Sequence, residues 1–166
     1  MKPQDIVILL KIIALGNTKW HNKDISGSLN ISAPEVSKSL DRCVTAGLID
    51  TDKKKVIRQA LFEFIEYGIC YVFPFQPGCI MKGIPTSIGH PFMKSIFDTR
   101  HVYVWPSEDS DVRGFSIEPL FPSVTKAVKN DDVLYKQLAL VDVLRSGKPE
   151  EKKVAIQELR RIIAPY

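Results

Sequence analysis

The sequence predicts an α+β fold: a compact helical segment, then a proline-rich mixed segment, then closing helices. Three distributions carry that prediction. Residues 1–60 hold ten Lys/Arg against six Asp/Glu, whereas residues 61–166 hold thirteen of each, so the net charge of +4 lies wholly in the first third. Seven of the eleven prolines fall between Pro74 and Pro122, a stretch that therefore cannot be mainly helical. Apolar residues recur at helical spacing on both sides of that stretch. The boundary near residue 60 divides the chain into 1–58 and 59–166.

Ile6 to Leu15 is apolar except for Lys11, too short and too interrupted to cross a bilayer, which takes about 20 apolar residues. It reads as a first helix, Asp5 to Leu15, stopped by Gly16-Asn17. Being apolar nearly all round, it requires cover on more than one face, from the C-terminal part or from a second subunit. Asn22 or Lys23 to Leu29 reads as a short second helix, with Ile25 and Leu29 on its inner side and Asn30 ending it.

Ser32-Ala33-Pro34-Glu35 is a capping box with proline just inside the helix start, so Ser32 accepts from the Glu35 amide and Glu35 reaches back. Val36, Leu40 and Cys43 then share one face, and Gly47-Leu48 suits a left-handed stop. The opposite face carries Glu35, Ser37, Lys38, Asp41, Arg42 and Thr45. Leu48 to Asp50 and Lys55 to Ile57 read as two short strands around a polar, basic turn, Thr51 to Lys54.

Helix, short helix, tight turn, capped helix and basic hairpin follow one another as in a winged helix-turn-helix. The run from Asp24 to Leu40, with Ser32-Ala33-Pro34-Glu35-Val36-Ser37 at its centre, continues through Ala46-Gly47-Leu48-Ile49 and resembles the MarR-type bacterial transcription regulators. The resemblance covers about a third of the chain. It implies a DNA-binding regulator, a repressor or autoregulator, whose helix from Pro34 to Ala46 enters the major groove of double-stranded DNA with the hairpin beside it. Lys38 and Arg42, four apart, are then expected to point outward together, Arg42 toward a guanine edge and Lys38 toward a base or phosphate. Ser32, Pro34 and Ser37 at the helix start, with Asp41 and Thr45 further along, complete the expected interface; Asp41 trims the charge beside Arg42. Lys53, Lys54 and Lys55 are expected on phosphates, the alternative for such a run being a solvated tip. Glu35 is expected to cap rather than to read a base.

Beyond residue 60, Leu61 to Tyr67 reads as helix and Ile69 to Phe73 as a strand ended by Pro74. His101 to Trp105 and Gly114 to Ile117 fit a small sheet in the proline-rich part, which departs from the MarR type. Ser123 to Val128, Asp132 to Ser146 and Glu150 to Ala164 read as helices, with Asp131 as cap, Gly147 as stop and Pro149 as start. The apolar first helix and the last helix, with Val154, Ile156, Leu159, Ile162 and Ile163, predict a homodimer.

No enzyme is expected. Gly78 and Gly83 have the spacing of a phosphate loop, but Ile84-Pro85 stand where Lys and Ser/Thr are needed. Ser87, His90 and Asp98 lack a nucleophile elbow, and Cys79, His90, Asp98 and His101 lack metal-ligand spacing, so neither metal nor cofactor is expected. Three cysteines without a C-x-x-C pair fit the cytoplasm. The second functional reading is an antitoxin-like interaction module that binds a partner such as a toxin through residues 61–166.

Overall fold

The computed structural model describes residues 1–165 and is α+β. Helix α1 (Pro3–Ala14) starts with proline in its first turn, and Asp5 accepts from the Lys2 amide at 2.7 Å. Gln4 to Leu10, Ile12 and Ile13 are all buried. At about 1.5–3 kcal/mol for each fully buried large aliphatic side chain, this one helix is a main contributor to the core.

In α2 (Asn22–Leu29), Asp24 caps the His21 amide and Asn30 ends the helix in the left-handed region, at φ 53°. In α3 (Ala33–Thr45), Ser32 accepts from the Glu35 amide as expected. Gly47 stands at φ 69°, Leu48 donates to the Cys43 carbonyl and Gly47 to that of Val44, a Schellman stop.

The expected hairpin strands reduce to a single bridge, Ile49 with Val56. Asp50 draws the amides of both Lys54 and Lys55 onto its carboxylate, and a helix begins at Arg58, so no longer ladder fits. The expected strand over Ile69 to Phe73 is helix: α4 (Arg58–Glu63) runs through a π turn (Phe64–Gly68) into α5 (Ile69–Val72). Leu61, Ile65 and Ile69 form one buried stripe along it, and that packing overrides a β-rich local composition.

The sheet has three strands. β1 (Ile80–Thr86) pairs antiparallel with β2 (Tyr103–Pro106), Gly83 opposite Pro106 to Thr86 opposite Tyr103, and with β3 (Arg113–Ser116), Ile80 opposite Phe115 to Lys82 opposite Arg113. β2 and β3 pair in parallel, which closes the sheet on itself. Gly83 is required there, because a Cβ would lie 2.1 Å from the Trp105 carbonyl oxygen. A short helix, α6 (Pro91–Lys94), separates β1 from β2.

After α7 (Val124–Ala127) come α8 (Asp132–Ser146), capped by Asp131, and α9 (Pro149–Ile163). Helix α8 packs against α1, α5, α9 and β1, and the buried residues of both halves of the chain form one cluster. Lys11 of α1 adds an ion pair to Asp131, 2.7 Å away. The chain therefore covers its own first helix, and that helix gives no ground for a second subunit. On α9, Ala155, Leu159 and Ile163 are buried, while Val154, Ile156 and Ile162 are half-buried. Among the described residues no helix is long and apolar enough to cross a membrane.

Candidate nucleic-acid interface

Helix α3 presents two faces. Val36, Ser39, Leu40 and Cys43 are buried against the body, and burial pushes the Cys43 thiol up to about 12, so it stays protonated. Pro34, Lys38, Asp41 and Thr45, spaced four, three and four apart, are exposed on the other side, with Ser32 at the cap and Ser37 half-buried beside them. A solvent-facing row of this kind on a capped helix is what a groove can receive.

Arg42 does not join that row. Its guanidinium turns to α1, where Nη2 lies 2.7 Å from Oδ1 of Asp5 and Nε lies 3.0 Å from Oδ2, and Nη2 also donates to Glu35 at 3.2 Å. Asp5 is fully buried and accepts further from the Ser39 hydroxyl and the Lys2 amide. Burial raises the pKa of that carboxyl, but the hydrogen bonds from Arg42, the Lys2 amide and Ser39 outweigh it and hold the group below its ordinary value. A bidentate pair with a buried carboxylate fixes Arg42 between two helices, so the expectation that it points outward with Lys38 is corrected. Glu35 likewise does not reach back to the Ser32 amide; it accepts from Gln4 at 2.5 Å and from Lys2 at 3.4 Å.

The three hairpin lysines diverge. Lys53, at φ 58° on the turn, pairs with Asp41 of α3 at 2.5 Å and ties the turn to the exposed row. Lys54 turns the other way, its Nζ 4.6 Å from the centroid of the Trp20 ring, and Lys55 is exposed on that same side. Lys38 makes no salt bridge among the described residues.

Ser87 and His90 are taken up by structural hydrogen bonds. His90 is buried, its Nδ1 accepts the Phe92 amide at 3.2 Å, and its ring lies edge-on to Tyr135. Ser87 is buried and shares a hydrogen bond with Ser146 at 2.8 Å, so it is not paired with His90 or Asp98. No group of three or more His, Cys, Asp or Glu able to hold a metal occurs among the described residues.

The partners of two buried aspartates escaped the sequence reading: Asp5, and Asp142 on α8, which accepts from Trp105 at 2.7 Å, Thr86 at 2.8 Å and Arg145 at 2.7 Å. Burial pushes the Asp142 carboxyl up while those donors pull it down. The available signal was an aspartate at the head of an apolar helix for Asp5 and one inside an apolar helical run for Asp142. Compared with family models, curated proteins and solved structures, the chain finds no match.

Proposed function

We propose that this chain is a DNA-binding transcriptional regulator, a repressor or autoregulator, built on a winged helix-turn-helix: α2 and α3 are the helix-turn-helix, and the turn carrying Lys53 to Lys55 is the wing. The observation that carries the reading is the exposed row Pro34, Lys38, Asp41 and Thr45 on α3, with Lys53 bridged to Asp41 beside it. A helix face and a basic turn held side by side match a major groove and its flanking phosphates. The excess positive charge of residues 1–60 supports the same partner.

Selection of genomic fragments on the full-length protein tests this directly. The recovered sequence should bind at least about a thousandfold more tightly than a scrambled duplex at physiological salt. Equal affinities for both would overturn the reading. Sedimentation of the complex with a recovered site reports whether two chains occupy it, as a regulator reading two half-sites requires.

A second reading, a module that binds a partner protein through residues 61–166, is favoured by Tyr67 and Tyr71. These two aromatic side chains, one turn apart at the end of the α4–α5 helix, are 67% and 82% exposed. Two exposed aromatics one turn apart offer a partner apolar area with a hydroxyl at its edge.

A further inference from the structure

A cleft of about 460 Å³ separates the connection between α1 and α2 from the basic turn, with Asn17, Lys19 and Trp20 on one wall and Lys54 and Lys55 on the other. It adjoins a second lobe of about 290 Å³, lined also by Ile12, Ile13, Val56 and Arg58. Among the described residues no carboxylate lines either lobe. Lys19, Lys54 and Lys55 make no salt bridge among the described residues. Asp50, whose carboxylate accepts the amides of Lys54 and Lys55 and attracts both their charges, is not among the lining residues.

Ammonium groups that line one concavity without an anion repel one another, and a ligand of opposite charge relieves that repulsion. Along a duplex, each backbone phosphate carries a single charge and the contacts spread over a surface. Several cations lining one small volume instead match a group with two or more charges. The volume falls in the range of small-molecule sites, and the second lobe supplies an aliphatic lining for the uncharged part of such a ligand.

We propose that this cleft binds a small phosphorylated organic molecule, its phosphate monoester or pyrophosphate group between Lys19, Lys54 and Lys55 and its less polar part toward Ile12, Ile13 and Val56. The site is distinct from the exposed row of α3 and stands whether or not that row reads DNA.

Calorimetric titration of the full-length protein with sodium pyrophosphate and with adenosine monophosphate, at constant ionic strength, tests the proposal. Saturable binding with one ligand per chain is expected for at least one probe. It should weaken at least tenfold in the double variant Lys19→Gln/Lys55→Gln and stay unchanged in Lys38→Gln. Absence of saturable binding by both probes overturns the proposal, as does equal affinity in the double variant. If neither probe binds while the double variant loses affinity for duplex DNA, the phosphates belong to the DNA backbone, and the small-molecule site is overturned by that outcome too.

Discussion

The Arg42 guanidinium of α3 grips the Asp5 carboxylate of α1 with two nitrogens, at 2.7 and 3.0 Å, and so fixes the helix with the exposed polar row to the helix that fills the core. Asp5→Asn should destabilise the protein by about 2–3 kcal/mol. That lies below the roughly 3–5 kcal/mol that removing one partner of a fully buried pair costs, because Arg42 keeps 26% of its side chain in water. Urea unfolding at pH 7 measures it. The folded pKa of Asp5 lies below its unfolded value, so its contribution is complete above about pH 4 and is lost as the pH falls through the folded value. The acid limb of the Asp5→Asn stability curve should accordingly be shallower than that of the parent.

With Arg42 turned inward, Lys38 becomes the unpaired cation of the α3 row. Lys38→Ala should lower affinity for a selected DNA site by about 1–3 kcal/mol if it meets a base edge, leaving the melting temperature unchanged. Arg42→Ala should do the reverse, lowering the melting temperature first. Binding titrations run beside thermal melts separate the two, and a Lys38 variant with parental affinity would remove this face from the interface.

Replacing Lys53, Lys54 and Lys55 together should weaken binding to all duplexes alike and flatten the dependence of affinity on salt. Since Lys53 alone is bridged to α3, the single change Lys53→Gln should reproduce more of the loss than Lys54→Gln. Equal single-variant losses would mean that the lysines do not divide between two sites as their directions imply.

Much of the helical frame was legible because its ends are chemically marked. Ser32, Pro34 and Gly47 delimit α3, Asp131 starts α8 and Pro149 starts α9, each through a local device that needs no knowledge of the rest of the chain. The strand expected at Ile69 to Phe73 failed because its β-branched and aromatic composition is a local property, whereas the stripe Leu61, Ile65, Ile69 is set by what α8 and α9 offer. β1 went unnoticed because Gly83 and Pro85 punctuate it. Arg42 was misdirected for a longer-range reason. Its partner lies 37 residues away, and only the oddity of an aspartate at the head of an apolar helix hinted that a cation was needed there.

A fragment ending at Arg58 should aggregate or fold without cooperativity. It would lose α8, which packs on α1, and leave the aliphatic side chains of that helix in water. Arg58 itself donates to the carbonyls of Ile162 and Ile163, a further tie that truncation removes. A soluble, cooperatively melting 1–58 fragment would show that the first part supports itself.

Burial, aided by the Lys136 charge, lowers the pKa of His90 to about 4, so the folded state favours the neutral ring. Its contribution is full above about pH 6.5 and is lost as the pH falls from there toward 4, about 2 kcal/mol between pH 7 and pH 5. His90→Asn keeps an acceptor for the Phe92 amide without titrating, and its urea midpoint should lose correspondingly less over that interval.

Each of the three strands pairs with both others, so the sheet leaves no full-length outer strand for a segment of another chain to dock on. A natively folded population therefore lacks a template for cross-β growth from this sheet, and conversion to fibrils must wait for β2 or β3 to peel away. The bond from Trp105 on β2 to Asp142 on α8, with that from Thr86 on β1 to the same carboxylate, ties two of the three strands to the helical body, so β3 is the strand that only its sheet neighbours hold in this way.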